Sequence, residues 1–201
     1  MENQKLELRM YGLVPYNISP IQQAIQYGHA VVEYGLKFFN EGEYQDWAKY
    51  CKTFMVLNGG TSNHTQDRYR GLKNDAGFWG IVDGNYSGTM EKNLSELTLN
   101  EIKIATFYEP DLNDMLSAIV FLVDERVFDR EKYPDFDLKS IYGEYKLKYS
   151  EIYEDPMDPK FPNLYNLMGS EVRTSWNDWV ESIGGRKNLF LRVFLKNFRL
   201  A

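Results

Sequence analysis

The chain has 201 residues, enough for one sizeable core or for a domain with an extension, and its 43% hydrophobic and 26% charged residues describe an ordinary globular protein. A formal charge of −6 excludes a protein that coats nucleic acid through bulk electrostatics, so bulk DNA binding is not expected. A single cysteine, Cys51, excludes an intramolecular disulfide and a cysteine-based zinc site, and no window approaches the ~20 apolar residues that span a bilayer.

The first pattern is "LELRMYGLVPY", residues 6–16, which reads as a strand ended by Pro15 and by the turn formers Asn17 and Ser19. A helix follows. Ser19 suits the N-cap, Pro20 suits the first helical position, and Gln22 completes a capping box. Ile21, Ala24, Ile25, Gly28, Val32, Leu36 and Phe39 recur at spacings of three and four, which predicts the buried face of this helix. Gln22, Gln26, His29 and Glu33 form a second, polar stripe. It is read either as a solvated face or as one wall of a pocket. The loop and first turn lie at the carboxyl end of the strand, where free amides and the helix dipole favour an anion, so Ser19 and Gln22 are ligand-binding candidates.

"GEYQDWAKYCK" then reads as a short helical piece and "TFMVLNGG" as a buried strand, which together give a parallel crossover unit. "NGGTSN", residues 58–63, resembles a backbone anion-binding loop as well as a simple tight turn. Residues 61–88 read as a long loop insertion anchored by Phe78, Trp79, Ile81 and Val82, with His64, Asp67, Arg68 and Arg70 within it. Thr89 is expected to cap a helix whose apolar face holds Met90, Leu94, Leu97 and Leu99. "IKIATFY" and "MLSAIVFLV" are strands joined by the turn "EPDLND", where Glu109, Asp111, Asn113 and Asp114 crowd together. A carboxylate there, facing the Gln and His stripe, would position a water or bind a ribose hydroxyl. Glu109 and Asp111 are thus catalytic candidates and Asn113 a binding candidate.

Residues 1–124 are read as an α/β domain with a small mixed four-stranded sheet, and 125–201 as an α-rich extension packed on that domain. The end, "RKNLFLRVFLKNFRLA", sets Leu189, Phe190, Val193, Phe194 and Phe198 against Arg192, Lys196 and Arg199. After Glu181 there are no acids, and the basic residues Arg186, Lys187, Arg192, Lys196 and Arg199 admit an RNA, an anionic ligand or docking on an acidic surface. No P-loop, GxSxG, HExxH or well-placed GxGxxG occurs. His29 and His64 are the only histidines, and neither a metal nor a cofactor is expected.

The order strand, "SPIQQAIQYGHAVVEY", strand, helix and "ATFYEPDLNDMLSAIVFL" resembles the type II peptidyl-tRNA hydrolase family, in particular its divergent phage-encoded members. The resemblance covers about residues 5–124, and its most specific parts are Gln26 with His29-Ala30 and the strand-turn-strand with Ser117-Ala118. It implies a three-layer α/β/α sandwich and hydrolysis of the ester joining peptide to tRNA. Gln26 and His29 match the family's catalytic positions, Glu109 or Asp111 stands for its acidic residue, and Ser117 joins the binding candidates. The family's lysine has no counterpart, since Pro20, Ile21 and Gln22 occupy its place, and Lys73, Arg68 or a tail arginine would have to supply a cation. The expected partner is a tRNA end or a small nucleotide ligand, in the cytoplasm (of the host, if phage-encoded), with no membrane and with a homo-oligomer left open. The alternatives are a non-catalytic protein that sequesters a small nucleotide signal and a partner-binding protein.

Overall fold

The computed structural model describes residues 5–62, 88–112, 114–136 and 170–201. Its elements in chain order are β1 (Leu8–Pro15), α1 (Pro20–Phe38), α2 (Gly42–Asp46), a π-helical turn (Trp47–Cys51), β2 (Thr53–Gly60), α3 (Thr89–Leu99), β3 (Ile104–Glu109), a 3-10 turn (Pro110–Leu112), β4 (Met115–Asp124), α4 (Glu125–Phe128), α5 (Ser170–Ser182) and α6 (Arg186–Phe194). They form two compact units, Met1–Asp124 with Phe198–Ala201, and Glu125–Asn197. The expected loop residues His64, Asp67, Arg68, Arg70, Lys73, Phe78, Trp79, Ile81 and Val82 lie outside the described residues, as does Asn113.

The first unit is α/β, built on a mixed four-stranded sheet in the order β2-β1-β4-β3. β1 and β2 pair in parallel, as the crossover pattern predicts, while β4 runs antiparallel to both β1 and β3. The carboxyl ends of β1, β2 and β3 therefore share one edge of the sheet, and α1 starts there. Beyond β2, Leu200 bridges Leu57, and the backbone pairs Asn58 N with Arg199 O (2.9 Å) and Ala201 N with Val56 O (3.0 Å). The chain end thus occupies backbone groups on the outer side of an edge strand.

α1 starts as its sequence predicts. Ser19 is the N-cap, its side chain accepts from Gln22 N, and the Gln22 side chain reaches back to Ser19 N. The helix faces the other way, however. Its buried residues are Gln26, Tyr27, Ala30 and Tyr34, whereas Ile21 (75% exposed), Ile25, Val32, Leu36 (74%) and Phe39 point outward. Two apolar stripes compete on this helix, and the sheet selects the aromatic one. Tyr27 donates from its hydroxyl to Met10 O (2.8 Å), so burying it leaves no orphan polar atom. Gly12 supplies the room, since a Cβ there would lie 2.1 Å from the Tyr27 ring. Tyr34 packs on Phe38 and Tyr44, with Trp47 completing the cluster, and Trp47 Nε1 donates to Thr53 O (3.2 Å).

α3 also departs from expectation at its start. Gly88 is the N-cap and Thr89 is the first helical residue. The Thr89 hydroxyl instead accepts from Thr61 N (2.7 Å) and donates to Gly59 O (3.0 Å), which pins the end of β2 to the helix. Gly60, at φ +94°, must be glycine both for that backbone and because a Cβ would strike Thr89 Oγ1. Met90 and Leu97 are buried as the period predicts, but Leu99 is exposed.

In the second unit, α6 reverses one expectation. Arg192, assigned by its charge to the exposed basic face, is 1% exposed. It donates to the Tyr133 carbonyl, lies 3.8 Å from Asp135 and stacks over Trp179. Arg130 pairs with Asp135, Lys196 Nζ lies 3.8 Å from it, and Arg130 Nη2 also donates to Arg192 O (3.1 Å). Part of the basic tail is therefore spent inside its own unit.

Candidate functional site

The candidate site lies where α1 crosses the ends of β3 and β4. Alternation along β3 puts Phe107 and Glu109 on the face that meets α1. The pairing of β3 with β4 shifts between Phe107 and Tyr108, so that Phe107 pairs with Ala118 and Tyr108 with Leu116. Ser117 is the residue skipped. Such a bulge re-aims a side chain, and here Ser117, 0% exposed, turns its hydroxyl to the helix.

Three of the sequence candidates meet at this point. Gln26, on the second turn of α1 and 4% exposed, donates from Nε2 to the Glu109 carboxylate. Its Oε1 lies 3.0 Å from Ser117 Oγ, which is also 3.1 Å from Phe107 O, so the one hydroxyl hydrogen is shared between two acceptors. Glu109 Oε1 accepts in turn from Asp111 N (3.3 Å). The Gln26 amide is therefore held at both ends, with its orientation dictated by an acceptor on one side and a donor on the other.

His29 is exposed one turn along the helix and stacks on the Phe107 ring, with centroids 4.6 Å apart. Asp111 sits on the exposed 3-10 turn and enters the cluster through its backbone amide, not through its carboxylate. Ser19 and Gln22 bond to each other at the helix end, so the Gln22 carbonyl oxygen is engaged by the cap. "NGGTSN" does not present its first amides to an anion. Gly60 N donates to Asn58 Oδ1 (2.9 Å) and Thr61 N to Thr89 Oγ1.

Among the described residues no basic side chain pairs with Glu109. The cluster is an acid held by neutral partners. Such a carboxylate can accept a proton from a water or a hydroxyl, while the fixed Gln26 amide orients it. No group of three or more His, Cys, Asp or Glu among the described residues is placed to hold a metal.

Two features escaped the sequence reading. Phe107, the platform under His29, was legible in principle, because β alternation places it beside Glu109. Glu91 was not singled out, yet it is 4% exposed, accepts from Ser62 Oγ (3.0 Å) and leaves Oε2 without a hydrogen-bond partner among the described residues. The Tyr108 phenol is pushed up to about 12, first by burial and then by the Glu91 charge.

Neither a protein-family model nor a curated protein matches this chain. Among the described residues no helix is long and apolar enough to cross a membrane. The functional reading therefore stands on the geometry of Gln26, Glu109 and Ser117.

Proposed function

We propose that this protein is peptidyl-tRNA hydrolase-like and that the cluster of Gln26, Glu109 and Ser117 takes the aminoacylated end of a tRNA or a chemically similar nucleotide ester. The single observation that carries this reading is the buried Gln26 amide, clamped between the Glu109 carboxylate and the Ser117 hydroxyl at the carboxyl ends of the strands. Glu109 takes a proton from water as the water oxygen attacks the ester carbonyl carbon. The bond to the ribose oxygen then breaks, and that oxygen takes up a proton. Gln26 fixes the carboxylate and the water, and the His29 and Phe107 rings offer a stacking surface beside them.

The test is cleavage of a peptidyl-tRNA ester by the purified full chain. The wild type turns over, and Gln26→Ala or Glu109→Gln loses about 10²–10³ in rate, in the range of positioned acid–base groups. No cleavage by the wild type, or equal cleavage by Gln26→Ala, overturns the hydrolase reading. One observation favours a second reading. Without the family's lysine, and with no cation at Glu109 among the described residues, the site lacks the charge that polarises an ester, while the His29 and Phe107 rings still offer a base a stacking surface. Native mass spectrometry of protein taken directly from cells separates the two, because sequestration retains an intact nucleotide and hydrolysis does not.

A further inference from the structure

The outward face of α1 is too apolar for an ordinary solvated surface. Ile21, Ile25, Val32, Leu36 and Phe39, each about half to three quarters exposed, follow one stripe with Gly28 among them. They present on the order of 600 Å² of contiguous apolar surface, at the upper limit for a monomer.

The order of side chains along the stripe points to its occupant. Ile21 and Phe39 stand at equal distances on either side of Ala30, as do Gly28 and Val32, while Ile25 and Leu36 do so within one residue. A two-fold axis across the helix at the level of Ala30 therefore superposes the stripe on itself. It sets Ile21 against Phe39 of a second copy, Ile25 against Leu36, and Gly28 against Val32. A Cβ at Gly28 would meet nothing within 4 Å, so this position is open to receive the opposing valine. Small facing large is the complementarity that lets two helices interdigitate.

The polar flank agrees. His29 and Glu33 are exposed on one side of the stripe, and antiparallel pairing brings the His29 of each copy alongside the Glu33 of the other. A lipid surface would instead call for Lys and Arg along this flank, where Gln22, His29 and Glu33 stand. Two copies would bury about 1,200 Å² of apolar surface through α1, which reaches the lower bound of a stable interface.

We infer that the protein forms a two-fold dimer through antiparallel packing of α1 against α1 of a second copy. Light scattering of the full chain in solution then gives twice the 23.6 kDa protomer mass. Val32→Glu, at an exposed position that the fold tolerates, gives the protomer mass with an unchanged circular dichroism spectrum. Ile21→Cys and Phe39→Cys proteins, mixed and oxidised, form a disulfide-linked pair, whereas neither alone does; the unaltered chain, with Cys51, is the control. A monomeric wild type, a Val32→Glu protein that remains dimeric, or Ile21→Cys linking to itself each overturns the inference.

Discussion

The polar clusters around Glu109 in the first unit and Asp135 in the second are built on opposite principles. Around Asp135, three cations converge on one carboxylate: Arg130, the buried Arg192 and Lys196. Charge is compensated there, and the carboxylate is consumed in holding its own unit together. Around Glu109 the partners are an amide side chain and a backbone N–H, both neutral. Both oxygens of that carboxylate are held by N–H donors, with no cation paired to it among the described residues. A buried or half-buried polar group is thus better judged by what neutralises it than by its residue type. The capping pair of Ser19 and Gln22 belongs with the first kind, because its hydrogen bonds close on the helix end.

The sharpest way to break this comparison is Gln26→Ala. Ser117 retains its contact with Phe107 O and Glu109 its contact with Asp111 N, so folding should suffer little, while the proposed ester cleavage should fall by about 10²–10³. Thermal melting measured beside the rate checks both halves, and a large loss of Tm would place Gln26 among the structural groups. Asp135→Asn should do the reverse. It leaves Arg192 buried beside two other cations, and denaturant unfolding should show a loss of roughly 2–3 kcal/mol, below the full cost of breaking a buried pair because Asp135 is partly solvated. Ser19→Ala should cost about 1 kcal/mol through the lost cap, with activity unchanged. A fall in activity at constant Tm would return Ser19 to the ligand site.

The smallest effect lies at high pH. The Tyr108 phenol is raised from 10.0 to about 12, so the folded state favours its neutral form. Its contribution is fully present below pH 10 and is lost as pH rises through about 12. Absorbance titration of tyrosinate should show a phenol returning toward the ordinary range in Glu91→Gln, since the Glu91 charge supplies part of the shift. An unchanged alkaline titration in that variant would separate Glu91 from Tyr108.

Much of the first unit is legible along the chain. Each of its strands shows as a short run of apolar residues bounded by turn formers, and the start of α1 is written in four residues, from Ser19 to Gln22. The candidate site was legible only in part. Gln26, Glu109 and Ser117 could be named, but Asp111 could not be separated from Glu109, because neighbouring carboxylates in a turn look alike until the strand's alternation is anchored to a helix. Glu91 was hidden because a carboxylate in the first turn of a helix is ordinarily solvated.

Local chemistry by itself determined the elements: caps, breakers and periodicity act within a few residues, so they can be read without knowing what lies opposite. Only the tertiary structure decided orientation. α1 carries two stripes, each able to be buried, and the choice fell to Gly12 on β1, whose missing side chain admits the Tyr27 ring, and to Met10 O, which takes the Tyr27 hydroxyl. That choice turned Gln26 inward and Ile21, Ile25, Val32, Leu36 and Phe39 outward. The skipped residue in the pairing of β3 with β4 then turned Ser117 to the same point. Both decisions depend on which residues from distant parts of the chain come into contact, and no local pattern holds that information.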